Sequence, residues 1–365
     1  MDPRLVQLIR CPITKNPLRP LTEEEIAALN VEINSRSRRH HDGSEIETRL
    51  EEGLITEDKR YAYPVVDGIA ALLPEMAIPM EARHGDTDDR RSLRKEKESV
   101  RDFYDNIGWK KEGDLYADTS IFVDKREVSR EYLHNCSQRI ANAVESPGGY
   151  LLDVASGVVP RGRSTNYAQT YEHHVCVDIS IRALREAKVN LGERGLYILG
   201  DITNLPLSDG AVDGAVSLHT IYHVPKDEQR AAFLELYRVI KPGAVCAVAY
   251  SWGRHALLPN LPVLPIQLYR FLKKRLAPRR RGGRSIRGLY FHAHSFGWFK
   301  NQSWPFPVDV RPLRSLNTQF LRVYIHPWLA GRQLLAIIFK LEGAFPRLAG
   351  RLGYYPLMII RRLPV

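Results

Sequence analysis

Between Gly149 and Ser251 the chain repeats one pattern: a short apolar run ending at a small or acidic residue, then a segment with helical spacing. The runs are YLLDVAS, HHVCVDIS, LYILGDI, VDGAVSLHT and GAVCAVAYS, with ISIRALREAKVNLGE and KDEQRAAFLELYRVI lying between them. Such short, nearly continuous apolar runs read as strands buried on both faces. Strands that alternate with helices require a parallel, doubly wound sheet, so the fold class is α/β. WPFPVDVRPL and NTQFLRVYIHP are read as two further strands forming a closing hairpin.

In an open α/β sheet, ligands bind outside the carboxyl ends of the strands, so the residues there are the ones to examine. The first run ends in Asp153-Val-Ala155-Ser156-Gly157, where small residues allow close backbone approach. The second ends in Asp178, the third in Gly200-Asp201-Ile202 and the fourth in Ser217-Leu218-His219. Acids at three successive strand ends suit a nucleoside with a hydroxyl-rich or cationic tail. They suit a dinucleotide pyrophosphate poorly, and no full G-x-G-x-x-G is present. The competing reading of each acid is loop capping.

LLDVASG, VCVDIS, LGDITNLPLSDGAVDGAVSLHTIYHV and ELYRVIKPGAVCAVAYS, in that order and spacing, resemble the motifs of class I S-adenosylmethionine-dependent methyltransferases of the broad type 11 group. The resemblance covers roughly residues 101–252. It implies a Rossmann-like sheet of seven strands, S-adenosyl-L-methionine as cofactor and methyl transfer as the activity. It places Asp153, Ala155, Ser156 and Gly157 along the methionine portion, Asp178 on the ribose hydroxyls and Ile179 beside the adenine. Asp201 would take the adenine amino group with Ile202 stacking nearby, Leu218 and His219 would floor the site, and Tyr104 would lie over the cofactor. The first motif departs from the usual pattern: Ala155 stands at one glycine position, and Val158-Val159-Pro160 follows Gly157 where a further glycine is common.

Residues 1–74 read as a separate small α+β module. In it EEEIAALNVEINSR is helical, and RYAYPVVDGIAALLP is a strand, an Asp-Gly turn and a second strand. Ile9-Arg-Cys-Pro-Ile-Thr14 and Ala62-Tyr-Pro-Val-Val-Asp-Gly-Ile69 resemble the small zinc-ribbon-like activators of methyltransferases in the translation machinery. A zinc site needs four N or S ligands, and Cys11 is the one cysteine here, with Thr14 at the second position of a would-be C-x-x-C. The expectation is a module without metal, serving as a packing domain or substrate-side lid. Residues 75–100 read as a charged linker, 101–326 as the catalytic domain, with a lid or acceptor-binding insertion at 255–300, and 327–365 as a basic amphipathic tail.

The net charge of +11 is unevenly spread: from Arg254 onward there are 20 Lys and Arg against 2 Asp and Glu. Such asymmetry points to an anionic partner. HALLPNLPVLPIQLYRFLKKRLAPRRRGGR and the tail mix aliphatic and aromatic residues with regularly spaced cations, the composition of helices in a membrane interface. Ordinary core helices with snorkelling arginines are the alternative, and nucleic acid is a third, less favoured partner, since no RNA-binding motif is present. No apolar stretch is long enough to span a bilayer, and four dispersed cysteines fit a cytoplasmic protein, peripheral to the inner membrane surface if the basic helices dock there.

For catalysis, His219 and His223 lie four apart after the fourth run, and His223 is the candidate general base. Packing or capping by both is the alternative. His292 and His294, in LYFHAHSFGWF, are read as acceptor-pocket residues. The function expected is methylation of a small-molecule or lipid-linked acceptor, such as a glycan, quinone or secondary metabolite. Methylation of RNA or a translation protein, and a non-catalytic adaptor role, are the alternatives.

Overall fold

A computed structural model of the chain describes residues 1–81, 91–108, 111–112, 115–116, 123–159, 167–276 and 289–364. The N-terminal module contains α1 (Pro3–Leu8), β1 (Leu18–Pro20), α2 (Glu23–Asn34), β2 (Glu52–Thr56), β3 (Tyr61–Val66), β4 (Ile69–Ala71) and β5 (Ile78–Pro79). Local signals set its elements. A capping box starts α2: the Thr22 hydroxyl accepts the Glu25 N–H at 3.2 Å, and the Glu25 carboxylate accepts the Thr22 N–H at 3.0 Å. Asp67 and Gly68 both take positive φ, 54° and 72°, the turn geometry that folds β3 back on β4. Strands β1 to β4 pair antiparallel in chain order.

Helix α3 (Arg91–Phe103), a two-stranded pair β6 (Lys111–Glu112) and β7 (Leu115–Tyr116), and α4 (Glu127–Ala143) precede the main sheet. Its first strands are β8 (Gly148–Val154), β9 (Tyr171–Asp178), β10 (Gly195–Leu199), β11 (Val212–Leu218) and β12 (Ile240–Ala249), with α5 (Ile181–Leu191) and α6 (Gln229–Val239) between. After them come α7 (Leu257–Leu276), α8 (Phe296–Lys300), β13 (Val308–Arg314), α9 (Thr318–Tyr324), α10 (Gly331–Ala344), α11 (Pro346–Leu352) and β14 (Tyr355–Arg361). The strand order β10-β9-β8-β11-β12-β14-β13 is the expected seven-stranded Rossmann-like sheet, parallel throughout except for β14. Alternation serves both faces: Leu151 packs with α4 residues such as Ile140, and Leu152 packs on the opposite side.

Two sequence expectations are corrected. NTQFLRVYIHP is not a strand: Asn317 accepts the Phe320 N–H at 2.7 Å and starts helix α9. The seventh strand is β14, inside the stretch 327–365 read as a tail, and it inserts between β12 and β13. PLMII is buried on both faces and carries no polar alternation that would mark it as a strand within the tail. Within the charged stretch 75–100, residues from Arg91 onward form helix α3.

The module does not stand apart. Strand β4 pairs parallel with β10, aligning Ala70 with Ile198 and Ala71 with Leu199, so one sheet runs through both regions. The Leu72 N–H bonds to the Leu199 carbonyl at 2.8 Å, and the Arg10 N–H to the Pro206 carbonyl at 2.9 Å. The Cys11 turn is closed by hydrogen bonds: its sulfur lies 3.2 Å from the Tyr63 hydroxyl and accepts the Thr14 N–H at 3.4 Å. Cys11, Cys136, Cys176 and Cys246 are all buried free thiols.

Candidate functional site

The carboxyl ends of β8, β9, β10 and β11 converge at one edge of the sheet. The loop after β8 has an unusual backbone: Ala155, Gly157 and Val159 all take positive φ, 54°, 59° and 41°. Three alternate positions thus adopt the conformation that glycine favours, yet one glycine is present. Val159 is a β-branched residue in this region, held there by burial among Ile69, Leu73 and Leu184. Ala155 lacks such compensation, being only half-buried. Ala155→Gly is therefore expected to stabilise the protein by about 1 kcal/mol. Urea denaturation measures this; a loss of stability would mean that packing of the Ala155 methyl outweighs the strain.

Asp178 closes this loop from the next strand. Its Oδ2 accepts the Gly157 N–H at 2.9 Å and its Oδ1 accepts the Ser180 N–H at 2.8 Å. The carboxyl group is almost wholly buried, and that burial pushes its pKa up to about 6 despite the two N–H bonds. Ser180 also donates to Asp105, which follows Tyr104 in the turn after α3. Asp201, beyond β10, receives Thr203 N–H and hydroxyl bonds at 2.8 Å on Oδ1, and Lys97 Nζ sits 2.6 Å from its Oδ2. Lys97 also reaches Glu228 at 2.5 Å, so α3 lies directly over the strand ends. Desolvation opposes the Lys97 charge, but Asp201 and Glu228 together hold its pKa above the ordinary lysine value.

Asp153 is placed differently. Its Oδ2 accepts from the Tyr167 hydroxyl at 2.9 Å and lies 3.2 Å from His174 Nε2, and the side chain is buried. The carboxylate is thus engaged by the interior of the sheet, while Ala155 and Ser156, two and three residues on, are half-buried. Ile202 packs into the core with Leu205 and Leu207, whereas Ile179 and Leu218 remain half-buried at the edge.

His219 follows β11 with φ 62°. Its half-buried side chain meets Tyr355 edge-on at 4.9 Å, and its Nδ1, shielded from solvent, has no hydrogen-bond partner among the described residues. Burial, aided by the Arg314 charge, brings its pKa down to about 3. His223 Nδ1 lies 2.7 Å from the Tyr290 carbonyl, so Nδ1 carries the proton and Nε2 the lone pair. Burial lowers its pKa to about 4. At neutral pH both imidazoles are therefore neutral, the form in which His223 Nε2 can accept a hydrogen bond or a proton. Tyr104 meets His223 edge-on at 6.5 Å, and Tyr222 and Phe291 complete an aromatic wall. His294 stacks on Trp298 and bonds the Lys226 carbonyl at 3.1 Å, which makes it a packing residue. Sequence reasoning missed Lys97, Asp105 and Glu228, because nothing in a charge-rich helix marks which residue will fold over a distant strand end.

The family model described as methyltransferase domain matches residues 152–248, and the one described as Trm112p-like protein matches residues 2–68. Residues 152–248 thus match a methyltransferase domain, preceded by a stretch that matches a Trm112p-like module. Among curated proteins it is similar to sterol methyltransferase-like 1 of Botryococcus braunii, 36% identical over 124 residues, which is 32% of this chain and 31% of that protein. It is also similar to 24-methylenesterol C-methyltransferase 2 of Arabidopsis thaliana, 31% identical over 111 residues, covering 29% of this chain and 30% of the relative. The chain therefore spans about a third of the length of these relatives. Among solved structures, the complex of DhpI with S-adenosylhomocysteine has a TM-score of 0.44 at 13% identity, covering 74% of this chain and 99% of that one.

The residues present fit S-adenosylmethionine as a cofactor. A loop of left-handed residues lets the backbone of Ala155 to Gly157 approach a ligand, and two acids, Asp178 and Asp201, stand at adjacent strand ends.

Proposed function

We propose that this chain is an S-adenosylmethionine-dependent methyltransferase acting on a small-molecule or lipid-linked acceptor. The observation that carries the reading is the pair Asp178 and Asp201 at the ends of neighbouring parallel strands, beside the left-handed loop after β8. Asp178 would hold the ribose hydroxyls and Asp201 the adenine amino group, with Ile179 and Leu218 as the apolar walls. When bound, the cofactor supplies a sulfonium methyl group as the electrophile. The chain then has to align an acceptor and exclude water. Tyr104, Tyr222, His223 and Phe291 form an apolar wall at that edge, which suits a largely apolar acceptor. His223 Nε2 offers a neutral hydrogen-bond acceptor in this wall for orienting a polar group. Relatives described as sterol C-methyltransferases support the lipid class of acceptor.

The test is calorimetric titration with S-adenosylmethionine and S-adenosylhomocysteine, followed by transfer of labelled methyl into a lipid extract. Micromolar binding and a labelled lipid product are expected. A folded protein that binds neither ligand would leave the adaptor reading in front. The Trm112p-like match favours a second reading, methylation of RNA or a translation protein, and label entering RNA or protein rather than lipid would establish it.

A further inference from the structure

Helices on the surface of a soluble protein turn polar residues outward. The first two turns of helix α7, residues 257–264, do the reverse. Their outward side carries Leu257, Leu258, Leu261 and Leu264, the third of them 70% exposed, while Val263 is buried against the body. A second such side lies on α10 and α11: Leu334, Ile337, Leu341, Phe345 and Leu348 are all exposed. Spacings of three and four residues put Leu334, Ile337 and Leu341 on one side of α10. The opposite side is occupied by Leu335 and Phe339, which pack against Val128 and Tyr132 of α4. Trp328, 77% exposed, lies in the short turn Pro327–Leu329 just ahead of α10.

These faces are physically joined. The Tyr324 hydroxyl donates to the Pro262 carbonyl of α7 at 2.5 Å, His326 stacks on Trp328, and the Gly331 N–H that opens α10 bonds to the His326 carbonyl at 3.0 Å. They also lie by the candidate site. Strands β12 and β13 run in the same direction, because each is antiparallel to β14, so α7 and α9 both begin at the sheet edge that holds Asp178 and His219. The half-exposed Phe291, beside His223, opens at that edge.

Charge identifies the occupant. Exposed Arg254, Arg322, Lys340 and Arg347 are neighbours in sequence of the apolar residues, and Arg332 lies 3.7 Å from Glu127. The two acids beyond Arg254 are already engaged: Asp309 pairs with Arg311 at 2.7 Å, and buried Glu342 is held by Arg139, Tyr132 and Ser315. Two copies meeting through this face would set cation against cation. A bilayer with acidic headgroups supplies both an apolar interior and negative charge.

We propose that α7, Trp328 and the outer side of α10 and α11 form one docking surface for an anionic lipid membrane, through which an apolar acceptor reaches the carboxyl edge of the sheet. The docking stands on the surface alone, and the delivery of acceptor rests on the methyltransferase reading. No helix among the described residues is long and apolar enough to cross a membrane, so the contact is peripheral.

The test is sedimentation of the full chain with phosphatidylcholine vesicles, with and without phosphatidylglycerol. Binding to the anionic vesicles is expected, weakened by salt. The paired changes Leu261→Glu with Leu264→Glu, and Trp328→Glu with Ile337→Glu, should each lower partitioning about tenfold or more. Circular dichroism and S-adenosylhomocysteine affinity should stay unchanged in both, which separates docking from folding and from the cofactor site. Absence of vesicle binding by the folded wild type, or equal binding by both paired variants, would overturn the proposal. So would a concentration-dependent dimer that the variants abolish, since the face would then bury a second copy. Vesicle binding without cofactor binding would refute the methyltransferase reading and leave the docking intact.

Discussion

A chain lacking residues 1–74 is expected to aggregate on expression. The reason lies in β10, whose five residues GLYIL are all buried. In the intact protein β4 pairs with β10 and covers it. Leu5, Leu8, Ile9, Tyr63 and Leu72 of the module belong to the same core cluster as Leu196, Ile198, Leu205 and Leu207 of the sheet. Each such side chain is worth about 2 kcal/mol on burial, so losing five removes about as much as the whole net stability of a typical domain, roughly 5–15 kcal/mol. The exposed strand would also be a long apolar edge, ready to pair with other chains. Sedimentation of the truncated chain after expression checks this. A soluble 75–365 fragment that still binds S-adenosylhomocysteine would show that the module is dispensable to the fold.

The second large effect concerns Asp178. In Asp178→Asn, affinity for S-adenosylhomocysteine at neutral pH should fall by about 2–4 kcal/mol, roughly 30- to 1000-fold, because in the proposed site a charged acceptor for the two ribose hydroxyls is lost. The same carboxylate makes a stability prediction of the opposite sense. Its folded pKa, about 6, lies above the 3.8 of an ordinary aspartate. Between those values the folded state holds a proton that the unfolded state releases, so stability falls as pH rises through the window. The penalty is complete above pH 6 and amounts to about 3 kcal/mol at most. Urea unfolding of wild type and Asp178→Asn at pH 4 and pH 7 isolates it: the wild type should lose more stability on going to pH 7 than the variant. Equal losses would mean that the two N–H bonds from Gly157 and Ser180 fully compensate for burial. An acid that costs stability at the end of a strand is consistent with a place kept for a ligand.

Much of the fold was legible because it depends on local rules. The apolar runs YLLDV, HHVCVD, LYIL and VDGAVSL became β8 to β11, since strands covered on both faces need no alternation. EEEIAALNVEINSR marked a helix, and Asp67-Gly68 marked a tight turn, because helix-forming residues and a pair that takes positive φ act within a few positions. The strand-end positions of Asp178, Asp201 and His219 followed from the same runs. That three acids stand at successive strand ends was thus determined by the sequence itself.

What each acid does was settled by partners distant in the chain. Asp153 is drawn into the sheet by Tyr167 and His174, whereas Asp178 turns to the loop and Asp201 meets Lys97 from 104 residues away. The basicity of His223 was decided by burial, which outweighs its bond to the distant Tyr290 carbonyl and which no local pattern encodes. The last strand shows the same division. PLMII reads equally as helix or strand, and only its slot between β12 and β13, with backbone groups to satisfy on both sides, makes it β14. Backbone conformation and element type follow largely from neighbours in sequence. The direction of a side chain, its charge and the identity of a last strand depend on which surfaces remain to be covered once the sheet has formed.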